Sequence, residues 1–160
     1  IRRTFDERGL PYASELTLRN CLDLEKIIQW NEDHGIKFYR MSSDIAPWHS
    51  EYELEQLPDF REIAESLARS GELAKSYGQR ITTHPGPFNK LTSPTPHVVT
   101  NTIVDLENHG RIFDLMGLPR SPYAKINIHV GAQSVCLCGD IGELRGGEGY
   151  HHLISNSLRG

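Results

Sequence analysis

The chain has 160 residues, 38% of them hydrophobic and 24% charged, with a net charge of −4, which is the composition of one ordinary globular domain. The acidic balance argues against a protein that coats nucleic acid by charge alone, while leaving room for a local basic rim or a metal cluster. No run reaches the ~18 apolar residues of a membrane span, and no charged-then-apolar leader opens the sequence. A start at Ile1 reads as a fragment or a processed product. Cys21, Cys136 and Cys138 are too few and too closely spaced for a zinc-finger pattern, so the expected setting is intracellular and reducing.

In chain order, Leu18, Cys21, Leu24 and Ile28 recur at helical spacing, which predicts a helix over 16–32 stopped by Gly35. Residues 36–41 read as a strand, and Ser42 to Pro47 as a loop with turn chemistry. A second helix over 59–77 carries Phe60, Ile63, Ala64, Leu67 and Ala74 on one stripe and ends at Gly78. Strand 80–84 follows at once, then a loop containing Pro85, Pro87, Pro94 and Pro96. The third helix, 97–116, turns Val99, Ile103, Leu106 and Phe113 inward and precedes Gly117. Strand 125–129 comes next. Beyond Gly139 the periodicity fails, so residues 1–140 are expected to form the domain and 141–160 an irregular tail.

Helix, strand and loop thus repeat three times, with loops opening at Ser42, Pro85 and Val130. Such a repeat predicts an α/β fold with a parallel sheet. A closed TIM barrel takes eight strands and typically ~250 residues. Three βα units make an incomplete one.

His84 and His129 each close a strand just before the chain turns away. In an α/β barrel catalytic groups gather at the C-terminal ends of the strands, where two imidazoles can share a metal. The bland alternative is that each histidine caps its strand with a hydrogen bond. Arg40, Ser42 and Ser43 reach the same face and suit phosphate contact, although Ser42, Ser43 and Asp44 equally suit a stapled turn. Phe88, behind Pro85, Gly86 and Pro87, either stacks on an unpaired base or folds onto a core. His34, His49, His97 and His109 rank lower because none ends a strand. His151 and His152 are adjacent and cannot share one face of a regular element.

The segments Asn31 to Asp44, Pro47-Trp48, Tyr52 to Glu55, Thr83-His84-Pro85-Gly86, Ser93-Pro94, Asp114 to Gly117 and Asn127 to Gly131 resemble the ultraviolet damage endonuclease family. The resemblance covers about residues 10–140. It implies a TIM barrel of the xylose-isomerase-like group that cuts damaged double-stranded DNA 5′ of ultraviolet photoproducts with a cluster of divalent metals. It also implies that His84 and His129 are metal ligands and that Phe88 occupies the lesion-probing position. Pro87, Arg40, Ser42, Ser43 and Asp140 fall among the implied DNA contacts. Manganese is the expected ion, with zinc or magnesium after it. The implied compartment is the nucleus or mitochondrion of a eukaryote, or the cytoplasm of a bacterium, with no membrane attachment.

The sequence departs from the family pattern at named points. Pro87 stands where the loop usually has Gln, Glu51 where a His usually follows Ser50, and Ile141 where a Lys follows Gly139-Asp140. No catalytic residue beyond the two metal ligands is identified. The 160-residue chain alone is expected not to incise DNA. The alternatives are a degenerate product that binds nucleic acid or is inert, and a metal-dependent sugar isomerase or epimerase of the same barrel group.

Overall fold

The computed structural model describes residues 2–129. The order is α1 (Arg2–Asp33), β1 (Phe38–Met41), a 3₁₀ turn (Leu54–Gln56), α2 (Phe60–Ser76), β2 (Arg80–Thr83) and α3 (Pro96–Leu115). The architecture is α/β, as expected, with β1 and β2 parallel and Phe38, Tyr39, Arg40 and Met41 paired with Arg80, Ile81, Thr82 and Thr83. Among the described residues no helix is long and apolar enough to cross a membrane. The expected tail, residues 141–160, lies outside the described residues.

The helix ends follow from their glycines. Gly35 (φ 71°) and Gly78 (φ 61°) adopt the left-handed backbone that costs a Cβ-bearing residue most. At the second, Gln79 N–H donates to the Ala74 carbonyl and Gly78 N–H to Lys75, a Schellman closure. The chain is thereby turned straight into β2.

Two elements differ from expectation. The first helix begins well before Leu16, at Arg2, with a break at Gly9 (φ 64°, ψ −162°). Pro11 sits in the first turn after that break, where its missing N–H costs nothing. The strand expected over 125–129 contracts to one parallel bridge between Thr83 and Ile126. Thr83 N–H donates to Lys125 O and Asn127 N–H to Thr83 O. The next rung would need an N–H from Pro85, which has none, so the ladder stops.

The core joins Leu24 and Ile28 of α1, Ile63 and Leu67 of α2, Met41 and Ile81 of the sheet, and Ile112 and Met116 at the end of α3. Ser14 Oγ donates to the Asp59 carboxylate and accepts the Asp59 N–H, tying α1 to the start of α2. Burial, aided by the Glu25 charge, pushes the Cys21 thiol up to about 12, so it packs as an inert apolar group. Cys136 and Cys138 lie outside the described residues.

Candidate functional site

The C-terminal ends of the strands collect most of the residues singled out in the sequence. β1 carries exposed Arg40 and leads into exposed Ser42 and half-buried Ser43. Ser42 Oγ accepts the Asp44 N–H at 3.1 Å, so its hydroxyl stabilises the turn and still faces solvent. β2 ends in His84, whose Nδ1 lies 3.0 Å from the Pro85 carbonyl. A carbonyl only accepts, so Nδ1 carries the proton and Nε2 keeps its lone pair. The ring of exposed His129 lies 4.4 Å from that of His84, tilted 53°. The two imidazoles therefore converge, as strand-end placement requires. They are close enough to share an ion with ~2.0–2.1 Å metal–nitrogen bonds.

Phe88 is 88% exposed beside exposed Pro87, so the ring is presented to solvent and is not folded onto the core. Asn89, the next residue, anchors the base of this loop by donating to Asp105 Oδ2 at 2.7 Å. Asp140 lies outside the described residues. No third His, Cys, Asp or Glu joins His84 and His129 among the described residues.

Behind this face lies a group that the sequence reading passed over. His49, 5% exposed, comes from the loop after β1, and Asp105 and fully buried His109 come from α3. His49 Nε2 lies 2.6 Å from Asp105 Oδ1, and His109 Nδ1 lies 2.8 Å from the Asp105 carbonyl and 3.4 Å from Oδ2. One ligand atom from each of the three residues lies within 4.8 Å of the others, so the group can hold a metal ion. The i, i+4 spacing of Asp105 and His109 on a helix was the available signal. Ranking histidines by strand ends concealed it.

Two more features fix the loop that brings His49 here. Asn108 Nδ2 donates to the carbonyls of His49 and Tyr52. Trp48 is held at φ 60°, a left-handed conformation that costs a bulky residue ~1–3 kcal/mol. Its ring sits 5.7 Å from Phe5 and 6.2 Å from Tyr12, which offsets that strain.

Burial alone would push the Asp105 carboxyl up. The hydrogen bonds and positive charge of His109 and His49 outweigh it and hold the group well below the usual carboxylate range. A folded pKa below the unfolded ~3.9 adds stability that is fully present above that value. It is lost as pH falls from about 4 through the folded value. Thermal melts from pH 5 to 2 should show a shallower acid loss in Asp105→Asn than in the parent, and parallel curves would contradict this.

The sequence profile of the family described as UV-endonuclease UvdE matches residues 2–136. The chain belongs to that family. It is 39% identical over 132 residues to a UV-damage endonuclease of Neurospora crassa, covering 80% of this chain and 20% of that protein. It is 36% identical over 119 residues to a UV DNA damage endonuclease of Bacillus anthracis, covering 73% and 36%. The crystal structure of SacUVDE matches with a TM-score of 0.65 at 32% identity, covering 74% of this chain and 39% of that one. The chain thus spans about a fifth to two-fifths of the length of these UV-endonuclease relatives.

Proposed function

We propose that this chain carries part of the working face of a metal-dependent DNA-repair endonuclease that incises damaged duplex DNA 5′ of ultraviolet photoproducts. On this reading its α/β units belong to an incomplete (β/α) barrel. The observation that carries it is the convergence of His84 and His129 at 4.4 Å, on the end of the sheet that also presents Arg40, Ser42, Ser43 and Phe88. Membership of the UV-endonuclease family favours this over a sugar isomerase of the same barrel group.

The donor set fits a divalent ion, manganese in preference to zinc or magnesium. His84 Nε2 has its lone pair free, and Pro85 fixes the ring's tautomer. His84 and His129 would hold such an ion, which would supply an activated water and charge compensation at the scissile phosphate. The rest falls to the chain's own groups. Arg40 and the hydroxyls of Ser42 and Ser43 hold the backbone phosphates in register. Phe88 offers a π face to a base that has left its stack, and base–aromatic stacking is worth ~1–3 kcal/mol. Pro87 stiffens the loop and offers no donor for a base edge, so recognition rests on shape and stacking.

The test is binding of ultraviolet-irradiated against unirradiated duplex of the same sequence, without incision as the readout. The chain should prefer the irradiated duplex, and Phe88→Ala should reduce that preference about five-fold or more, the equivalent of ~1 kcal/mol of stacking. Equal binding of both duplexes, or a preference untouched by Phe88→Ala, would contradict the reading. Two imidazoles are fewer protein donors than a catalytic metal site ordinarily has. Incubation of the chain alone with irradiated DNA and Mn²⁺ should therefore yield no nicks. Mn²⁺-dependent nicking 5′ of a photoproduct, abolished by His84→Ala, would show that the chain is a complete enzyme.

A further inference from the structure

We propose that His49, Asp105 and His109 form a second, buried site for a zinc-like divalent cation, separate from the His84/His129 face. The argument begins with protons. His109 Nδ1 points at the Asp105 carbonyl, which only accepts, so that nitrogen bears the hydrogen. His49 Nε2 lies 2.6 Å from Asp105 Oδ1, a carboxylate oxygen that accepts, so that nitrogen bears one too. In the neutral rings the lone pairs then sit on His49 Nδ1 and His109 Nε2. Both atoms are buried, and neither meets a hydrogen-bond donor among the described residues.

A buried imidazole lone pair needs an electrophile, and a borderline divalent cation satisfies two at once. The surroundings have the form that metal-binding histidines take, each donating its other ring N–H to a carboxylate or a backbone carbonyl. Here one residue, Asp105, supplies both acceptors, and its charge partly neutralises the ion. Asn89 donates to the other carboxylate oxygen and holds it in place. The rings now pack edge to face with centroids 4.6 Å apart. One ligand atom from each of His49, Asp105 and His109 lies within 4.8 Å of the others, within reach of a single ion after small side-chain shifts.

The site bolts two loops to α3. His49 belongs to the loop after β1 and Asn89 to the loop that presents Phe88. An ion here orders both loops without touching DNA. It is a structural site, and its existence does not depend on the endonuclease reading.

The experiment is a Zn²⁺ titration of the whole 160-residue chain, with Co²⁺ as a spectroscopic stand-in. One tight equivalent should bind in the parent and in the His84→Ala/His129→Ala variant alike, the exposed His84/His129 pair adding only a weaker second one in the parent. His49→Gln and His109→Gln should each weaken it at least ten-fold, judged in variants whose circular dichroism matches the parent. Since a buried histidine variant can misfold, the unmodified chain supplies an independent reading by imidazole NMR. Saturating Zn²⁺ should shift the ring signals of His49 and His109. Affinity unchanged in both folded Gln variants, binding that vanishes in His84→Ala/His129→Ala, or zinc shifts that spare His49 and His109 would overturn the proposal.

Discussion

Gly71→Ala is expected to be the most damaging single methyl addition in the described chain, costing about 3 kcal/mol or more and lowering Tm by roughly 10 °C. Gly71 is buried on α2 where it crosses the end of α3. A Cβ built there would lie 1.7 Å from the Met116 carbonyl oxygen, 2.6 Å from its carbon and 2.9 Å from its Cα. These are backbone atoms, so no rotamer change relieves the overlap. The two helices must part at their closest approach, which opens the packing of Ile112, Phe113 and Met116 against α2. Gly110, in the middle of α3, is the control. A Cβ there meets nothing within 4 Å, so Gly110→Ala should stabilise by up to ~1 kcal/mol through helix propensity. Urea unfolding followed by circular dichroism decides the matter, and a Gly71→Ala variant within ~0.5 kcal/mol of the parent would contradict the close helix crossing.

The second large effect is expected at Asp105. Asp105→Ala removes the acceptor of His49 Nε2 and of Asn89 Nδ2 together. Leaving a buried donor without its acceptor costs ~1–3 kcal/mol, and two donors are orphaned here, so the expected loss is about 3 kcal/mol. The loss should also be localised. Amide exchange should accelerate in the loop after β1 and in the loop around Phe88 before it does in α2, because Asp105 joins those two loops to α3. Uniform acceleration, or none, would remove Asp105 from that role.

The helical layer was legible because its signals are local. Leu24 and Ile28, Ile63 and Leu67, and Leu106 and Phe113 repeat at helical spacing, and left-handed glycines mark the stops. The third strand was not, because its length depends on whether the neighbouring strand can continue the ladder. The proline after His84 decides that from 41 residues away. The helical residues before Leu16 were not legible, because Gly9 and Pro11 interrupt the apolar spacing there, yet the helix resumes at once after Gly9 because proline is harmless in a first turn. The histidine pair was legible from its place at the strand ends. The buried group was half legible: Asp105 and His109 announce themselves by spacing, but His49 lies 56 residues away from Asp105 and reaches it only through the strained turn at Trp48.

His84 and His129, as proposed, together hold a divalent ion at the end of the sheet. Mn²⁺ is paramagnetic and broadens the signals of nuclei close to it, so imidazole NMR detects even a weak two-histidine site. Sub-stoichiometric Mn²⁺ should broaden the His84 and His129 ring signals first and together. His84→Ala should spare His129, because one imidazole alone holds the ion too weakly to broaden it. Broadening that leaves both rings sharp while reaching other histidines, or that survives at His129 unchanged in His84→Ala, would contradict the account.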